Sequence, residues 1–87
     1  MLEVKSARHV RDYRVWIEFS NGERGEVDLE PDLWGSVFEP LRDPERFRAF
    51  TVSPVLHTLA WDNGADFAPE HLLEKLPSHL PQEAGRT

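Results

Sequence analysis

The chain has 87 residues, 39% hydrophobic and 30% charged, with 16 acids against 10 lysines and arginines and a formal charge of −6. That length specifies one domain with a small core and few apolar residues to spare for a deep catalytic cleft. The absence of cysteine excludes disulfides, thiol nucleophiles and zinc knuckles, and no run reaches the roughly 18–20 apolar residues that span a bilayer.

The opening residues MLEVKSARHV lack the apolar stretch of a secretory signal, so a cytoplasmic location is expected and no membrane partner. Charge is unevenly spread: residues 1–14 carry +2, residues 15–45 carry −7 and the remainder −1. Nucleic-acid binders concentrate lysine and arginine on one face. Here the longest charged stretch, GERGEVDLEPD, is acidic, so no direct nucleic-acid contact is expected. An acidic face suits a small basic protein partner.

Taken in order, LEVKSARHV reads as a strand with Leu2, Val4 and Val10 inward, and His9 and Asp12 fall at a tight connection. Tyr13, Val15, Ile17 and Phe19 then alternate with Arg14, Trp16 and Glu18, the period of a half-buried strand. After a turn, Val27 and Leu29 alternate with Glu26 and Asp28. A two-residue Asn21-Gly22 loop would set the two apolar rows on opposite faces. A three-residue loop, Ser20-Asn21-Gly22, with Gly22 left-handed, pairs Tyr13 with Leu29, Val15 with Val27 and Ile17 with Gly25. It also opposes Arg14 to Asp28 and Glu18 to Arg24, so burial and charge choose the same register.

Pro31 ends that arm, and DLWGSVF reads as an irregular or single helical turn. Asp43 is a good N-cap for a brief helix opened by Pro44 and Glu45. FTVSPVLHTLAW reads as a second hairpin: Phe50 and Val52 in one arm, a turn at Ser53-Pro54-Val55-Leu56, and His57 to Trp61 returning. Asn63-Gly64 turns the chain out of the sheet. Pro69 and Glu70 open a last helix with an apolar stripe of Leu72, Leu73 and Leu76, which Pro77 stops. The expected fold is α+β: a small antiparallel sheet of two hairpins plus an N-terminal strand, packed with one short and one C-terminal helix. Residues 1–76 form the domain, with residues 77–87 expected as a flexible tail.

The stretch WDNGADFAPEHL holds the densest set of chemical groups. Read as an active centre, it would pair Asp62 with Asp66 and use His71 as base or ligand. Read as structure, Asn63-Gly64 is a left-handed turn, Asp66 a local backbone cap and Pro69-Glu70 a helix start. The second reading gives every residue a local conformational role and is preferred. His71 and Glu74 lie one helical turn apart, but no His-Glu-x-x-His pattern accompanies them. No catalytic, metal or cofactor set is therefore assigned, and an enzyme using Asp62, Asp66 and His71 is a remote alternative.

Trp16 is harder to account for as structure. It falls on the outer, charged face of the first hairpin, either covered by the Leu72–Leu73–Leu76 stripe or free for contact. With Trp34 and Phe38 from the irregular segment, and with Glu26 and Asp28, it forms the expected interaction surface. Trp61, in an alternating arm, is expected in the core.

Three motifs in order, FSNGE…VDL, VFEPLRDPE.F and W.NGAD..PE.L, make the chain resemble the bacterial family catalogued as domain of unknown function 2442, over roughly residues 3–74. The resemblance implies a small α+β fold with an antiparallel sheet, and no activity or cofactor. Some relatives continue into a helix-turn-helix segment, which this stretch lacks; many lie beside other short reading frames. That setting suggests one half of a two-gene, antitoxin-like or regulatory module. The chain departs from its relatives at Asp62, where proline is frequent, and at Ala68, where aspartate is common. The expected function is thus a non-enzymatic protein-binding module. A regulatory domain of a DNA-associated system acting through a partner is the alternative, and a homodimer through sheet edges is compatible with both.

Overall fold

In the computed structural model, which describes residues 1–77, the alternation over residues 13–29 builds the centre of the fold. Strands β1 (Val4–Arg11), β2 (Arg14–Phe19) and β3 (Arg24–Asp28) form an antiparallel sheet in the order β1-β2-β3. The register of β2 on β3 is the one that charge and burial choose: Arg14 opposite Asp28, Val15 opposite Val27, Ile17 opposite Gly25 and Glu18 opposite Arg24. Leu29 N–H donates to Tyr13 O at 2.9 Å and extends the ladder by one pair. Val15, Ile17, Phe19, Val27 and Leu29 are buried, each contributing about 1.5–3 kcal/mol relative to exposure.

The first strand departs from the expected pattern. Its pairing with β2 shifts between Val4 and Ser6 and again between His9 and Arg11. The second irregularity leaves Val10 without a partner, and Val10 is exposed rather than inward. An extra residue in one strand reverses the alternation beyond it. His9 takes the inner place, with its ring edge-on to Phe47 at 6.1 Å and Nε2 2.8 Å from Asp12 O.

Beyond β3 the chain makes a 3-10 turn over Glu30–Asp32, an irregular passage through Trp34 and Gly35, and a second 3-10 turn over Glu39–Arg42. Helix α1 (Pro44–Phe47) starts as expected, with Asp43 Oδ1 accepting from Glu45 N–H at 3.0 Å. Strands β4 (Thr51–Val52) and β5 (Leu59–Ala60) form a second, two-stranded sheet. Its connection is longer than expected. Ser53 O accepts from His57 N–H at 2.8 Å, and Ser53 Oγ accepts from Val55 and Leu56 N–H. His57 therefore belongs to the turn, with φ of 58°, and the return arm begins at Leu59.

The Asn63-Gly64 turn also differs from expectation. It folds the chain back along β5, through a bridge between Ala60 and Asp66 and a hydrogen bond from Phe67 N–H to Leu59 O, instead of leading it out of the sheet. Its geometry repeats that of Asn21-Gly22. In each, the asparagine Oδ1 accepts from the backbone N–H two residues on, at 3.0 Å, and the glycine has φ near 90°. The flanking pairs Phe19–Glu23 and Trp61–Ala65 are hydrogen-bonded alike.

Helix α2 (Pro69–Glu74) follows, with Leu72 and Leu76 fully buried. Leu76 packs against the inner face of the sheet at Gly25, where a Cβ would stand 3.1 Å from Leu76 Cδ2. Leu76, two residues past the helix, thus packs on the face opposite Trp16. Phe47 centres an aromatic cluster with Tyr13, Phe50 and Trp61. Trp61 is in the core as expected, and its Nε1–H donates to Phe47 O at 2.9 Å. Residues 78–87, most of the expected tail, lie outside the described residues. Among the described residues no helix is long and apolar enough to cross a membrane.

Candidate functional site

The expected surface of Trp16, Trp34 and Phe38 separates into two places. Trp16 is on the outer face of the first sheet, half-buried, opposite Glu26 on β3 and Arg8 on β1. The Arg8 guanidinium lies 4.7 Å from the centre of its ring, a cation–π contact that covers part of the indole. Beside it, Arg14 bonds the Glu26 carboxylate and lies 3.6 Å from Asp28. The Glu26 hydrogen bond raises the Arg14 pKa still further above its ordinary value, so this guanidinium stays charged. Arg14 thus shares its single positive charge between Glu26 and Asp28, where pattern alone assigned it to Asp28 only. Glu18 stands opposite Arg24, and neither makes an ion pair among the described residues.

Trp34 and Phe38 meet elsewhere, at a cleft of about 410 Å³ lined by Asp32, Trp34, Phe38, Asp66, Phe67, Ala68 and His71. Three separate segments build it: the stretch from Asp32 at the end of the first 3-10 turn to Phe38, the arm after the second Asn-Gly turn, and α2. Its floor is a row of stacked rings, with Phe38 on Phe67 at 4.8 Å and Phe67 on His71 at 5.8 Å. Trp34 stands at the rim, 72% exposed.

One end of the cleft is closed by Asp32. His71 Nε2 lies 2.9 Å from Asp32 Oδ1, and Lys75 Nζ lies 2.9 Å from Asp32 Oδ2. His71 and Lys75 are one turn apart on α2, which sets both toward the same carboxylate. That i,i+4 spacing was the one signal in the sequence for this cluster; Asp32 and Phe67 carried none. Asn63 ties the walls together, its Nδ2–H donating to Val37 O at 3.0 Å.

The residues considered for catalysis are brought together only in part. Asp66 and His71 line this cleft, whereas Asp62 lines another, of about 310 Å³, with Leu41, Glu45, Arg46, Ala49, Trp61 and Asn63. Asp66 also caps no backbone group: its main chain bridges to Ala60, and its exposed carboxylate makes no hydrogen bond or ion pair among the described residues. Ala68 precedes α2 without a side-chain cap, as its methyl group requires, and Pro69 takes the first helical position. Asn21, Gly22, Asp43, Pro44, Asn63 and Gly64 hold the turn and cap positions expected of them. Among the described residues no group of three or more histidines and carboxylates is arranged to hold a metal ion.

A family model described as "Protein of unknown function (DUF2442)" matches residues 4–78. No curated protein matches the chain. A crystal structure from Nitrosomonas europaea, described as that of a proposed DNA-binding protein, has the same fold, with a TM-score of 0.75 at 21% identity over 90% of this chain. The match takes in 50% of that protein, so the present chain spans about half its length.

Proposed function

The chain belongs to the DUF2442 family of proteins of unknown function, and within it we propose that this domain is a non-catalytic binding module for a small basic protein. The contact surface is the cleft beside Trp34. The observation that carries the reading is Trp34 itself: a tryptophan 72% exposed at the rim of an aromatic-floored cleft, where Trp61 is buried and Trp16 is partly covered by Arg8. Exposed aromatic groups beside a preformed pocket are the usual anchors of protein interfaces. The partner's positive charge is suggested by residues 15–45, which carry −7 and supply three of the lining residues. One half of a two-gene, antitoxin-like or regulatory pair is the setting this role fits.

A tagged pull-down from the native host at near-physiological salt tests it, with the captured protein identified by mass spectrometry and its affinity then measured with purified components. Trp34→Ala should weaken that complex about tenfold or more, with thermal unfolding nearly unchanged. Trp16→Ala should leave binding intact. Equal affinity of wild type and Trp34→Ala would reject the cleft as the contact surface.

A second reading has one observation in its favour. The similar structure from Nitrosomonas europaea is matched over 50% of its length and described as a proposed DNA-binding protein, so this domain would be the regulatory part of a DNA-associated system, acting through a partner that reads the DNA. Mobility shifts with and without the captured partner separate the two readings: a shift that requires the partner supports the second.

A further inference from the structure

We infer that the cleft beside Trp34 is a receptor for an arginine side chain of the partner, with the Asp66 carboxylate as its counter-ion. The inference rests on the protein-binding role proposed above and names the group that enters the cleft.

Two carboxylates line the cleft, and they are not equivalent. Asp32 has one oxygen against His71 and the other against Lys75, each at 2.9 Å, so its charge is already committed to holding the wall. Asp66 is exposed and unpaired among the described residues, on the strand arm directly before Phe67. A purely apolar occupant would strip water from that carboxylate without replacing its hydrogen bonds, which is unfavourable. A cationic occupant would satisfy it.

The rings choose among cations. Trp34 is 72% exposed and its indole is open to an incoming group, whereas Phe38, Phe67 and His71 are stacked on one another, so the indole is the ring on which a cation would stack. A guanidinium is planar and weakly hydrated, stacks on aromatic faces and still donates in its plane to a carboxylate. A lysine ammonium is compact and strongly hydrated, and gains less from such a surface. The cleft therefore favours arginine over lysine, and both over a neutral chain of similar length.

The test uses the full chain, 15N-labelled, titrated with N-acetyl-argininamide, N-acetyl-lysinamide and N-acetyl-norleucinamide at matched ionic strength, up to about 100 mM, as fragments this small demand. The expected result is saturable shifts at the Trp34 indole N–H and the Asp66, Phe67 and Ala68 amides, strongest for the arginine probe. Asp66→Asn should weaken that probe about two- to fivefold, the range for an exposed ion pair, whereas Asp62→Asn should not. Norleucinamide matching the arginine probe, an unchanged affinity in Asp66→Asn, or no cleft shift at all would each overturn the inference. The protein-binding role is judged separately. A partner lost with Trp34→Ala but indifferent to Asp66→Asn would keep the role and remove arginine from it.

Discussion

Lys75 reaches back from the end of α2 to Asp32, Nζ to Oδ2 at 2.9 Å, and ties the last helix to the 3-10 turn that follows the first hairpin. Both side chains are about four-fifths buried, and His71 occupies the second Asp32 oxygen. Asp32→Ala would leave a largely buried ammonium without its partner and should destabilise the domain by about 1–3 kcal/mol. Lys75→Met, which removes the charge but keeps the stem, should cost less because His71 still bonds Asp32. Urea unfolding of the two variants checks the order.

The contact between Gly25 and Leu76 makes the inner face of β3 intolerant of bulk. A Cβ at Gly25 would meet Leu76 Cδ2 at 3.1 Å, and Leu76 is fully buried with little room to retreat. Gly25→Val should destabilise the domain by about 1–3 kcal/mol through overpacking. Combining it with Leu76→Ala should cost less than the two losses added, since the same space is relieved. A double-mutant cycle by denaturant titration measures that coupling.

The two Asn-Gly turns are alike in backbone and unlike in what they hold. Asn63 Nδ2–H donates across the chain to Val37 O, whereas Asn21 Nδ2–H donates within its own turn, to Glu23 Oε2. Asn63→Ala should therefore be the more destabilising of the two alanine substitutions, by about 0.5–1.5 kcal/mol. It should also alter Trp34 emission, because the passage carrying Trp34 loses a tether. Asn21→Ala should leave that emission unchanged.

Ala68 begins α2 in an extended conformation, φ −62° and ψ 137°, with no side-chain acceptor for the first helical N–H groups. Ala68→Asp supplies one and should stabilise the domain by about 0.5–1 kcal/mol. The expected signature is a higher urea midpoint with an unchanged slope. A changed slope would point to an altered unfolded state instead.

Arg8 shields Trp16 on the outer sheet face. In a Trp34→Phe background, Arg8→Ala should shift tryptophan emission to the red as the indole gains water, and change stability by only about 0.5–1 kcal/mol. An unshifted spectrum would mean that the strands alone shelter Trp16.

The hairpin was legible because its information is local. Alternation from Tyr13 to Phe19, a turn glycine at the third loop position and opposed charges all prescribe one register, and β2 and β3 adopt it. The Asp43 cap and the buried Leu72 and Leu76 were equally readable, each depending on residues within a turn or two. Val10 was misread where a bulge, invisible to strict alternation, reversed inside and outside. His57 was misread because the Ser53 hydroxyl and carbonyl bond Val55, Leu56 and His57 into a longer turn than proline alone suggests.

By itself, then, the sequence determined the α+β class, the first hairpin and its register, the helix starts and the core leucines, because these follow from spacing and from the conformational limits of glycine, proline and aspartate. The tertiary structure alone decided that Trp16 and Trp34 lie on different surfaces, that Asp62 and Asp66 line different clefts, and that Asp32 gathers His71 and Lys75. The reason is physical: such meetings depend on how irregular segments are packed over a shared core, and no local periodicity encodes the distance between residues that only packing brings together.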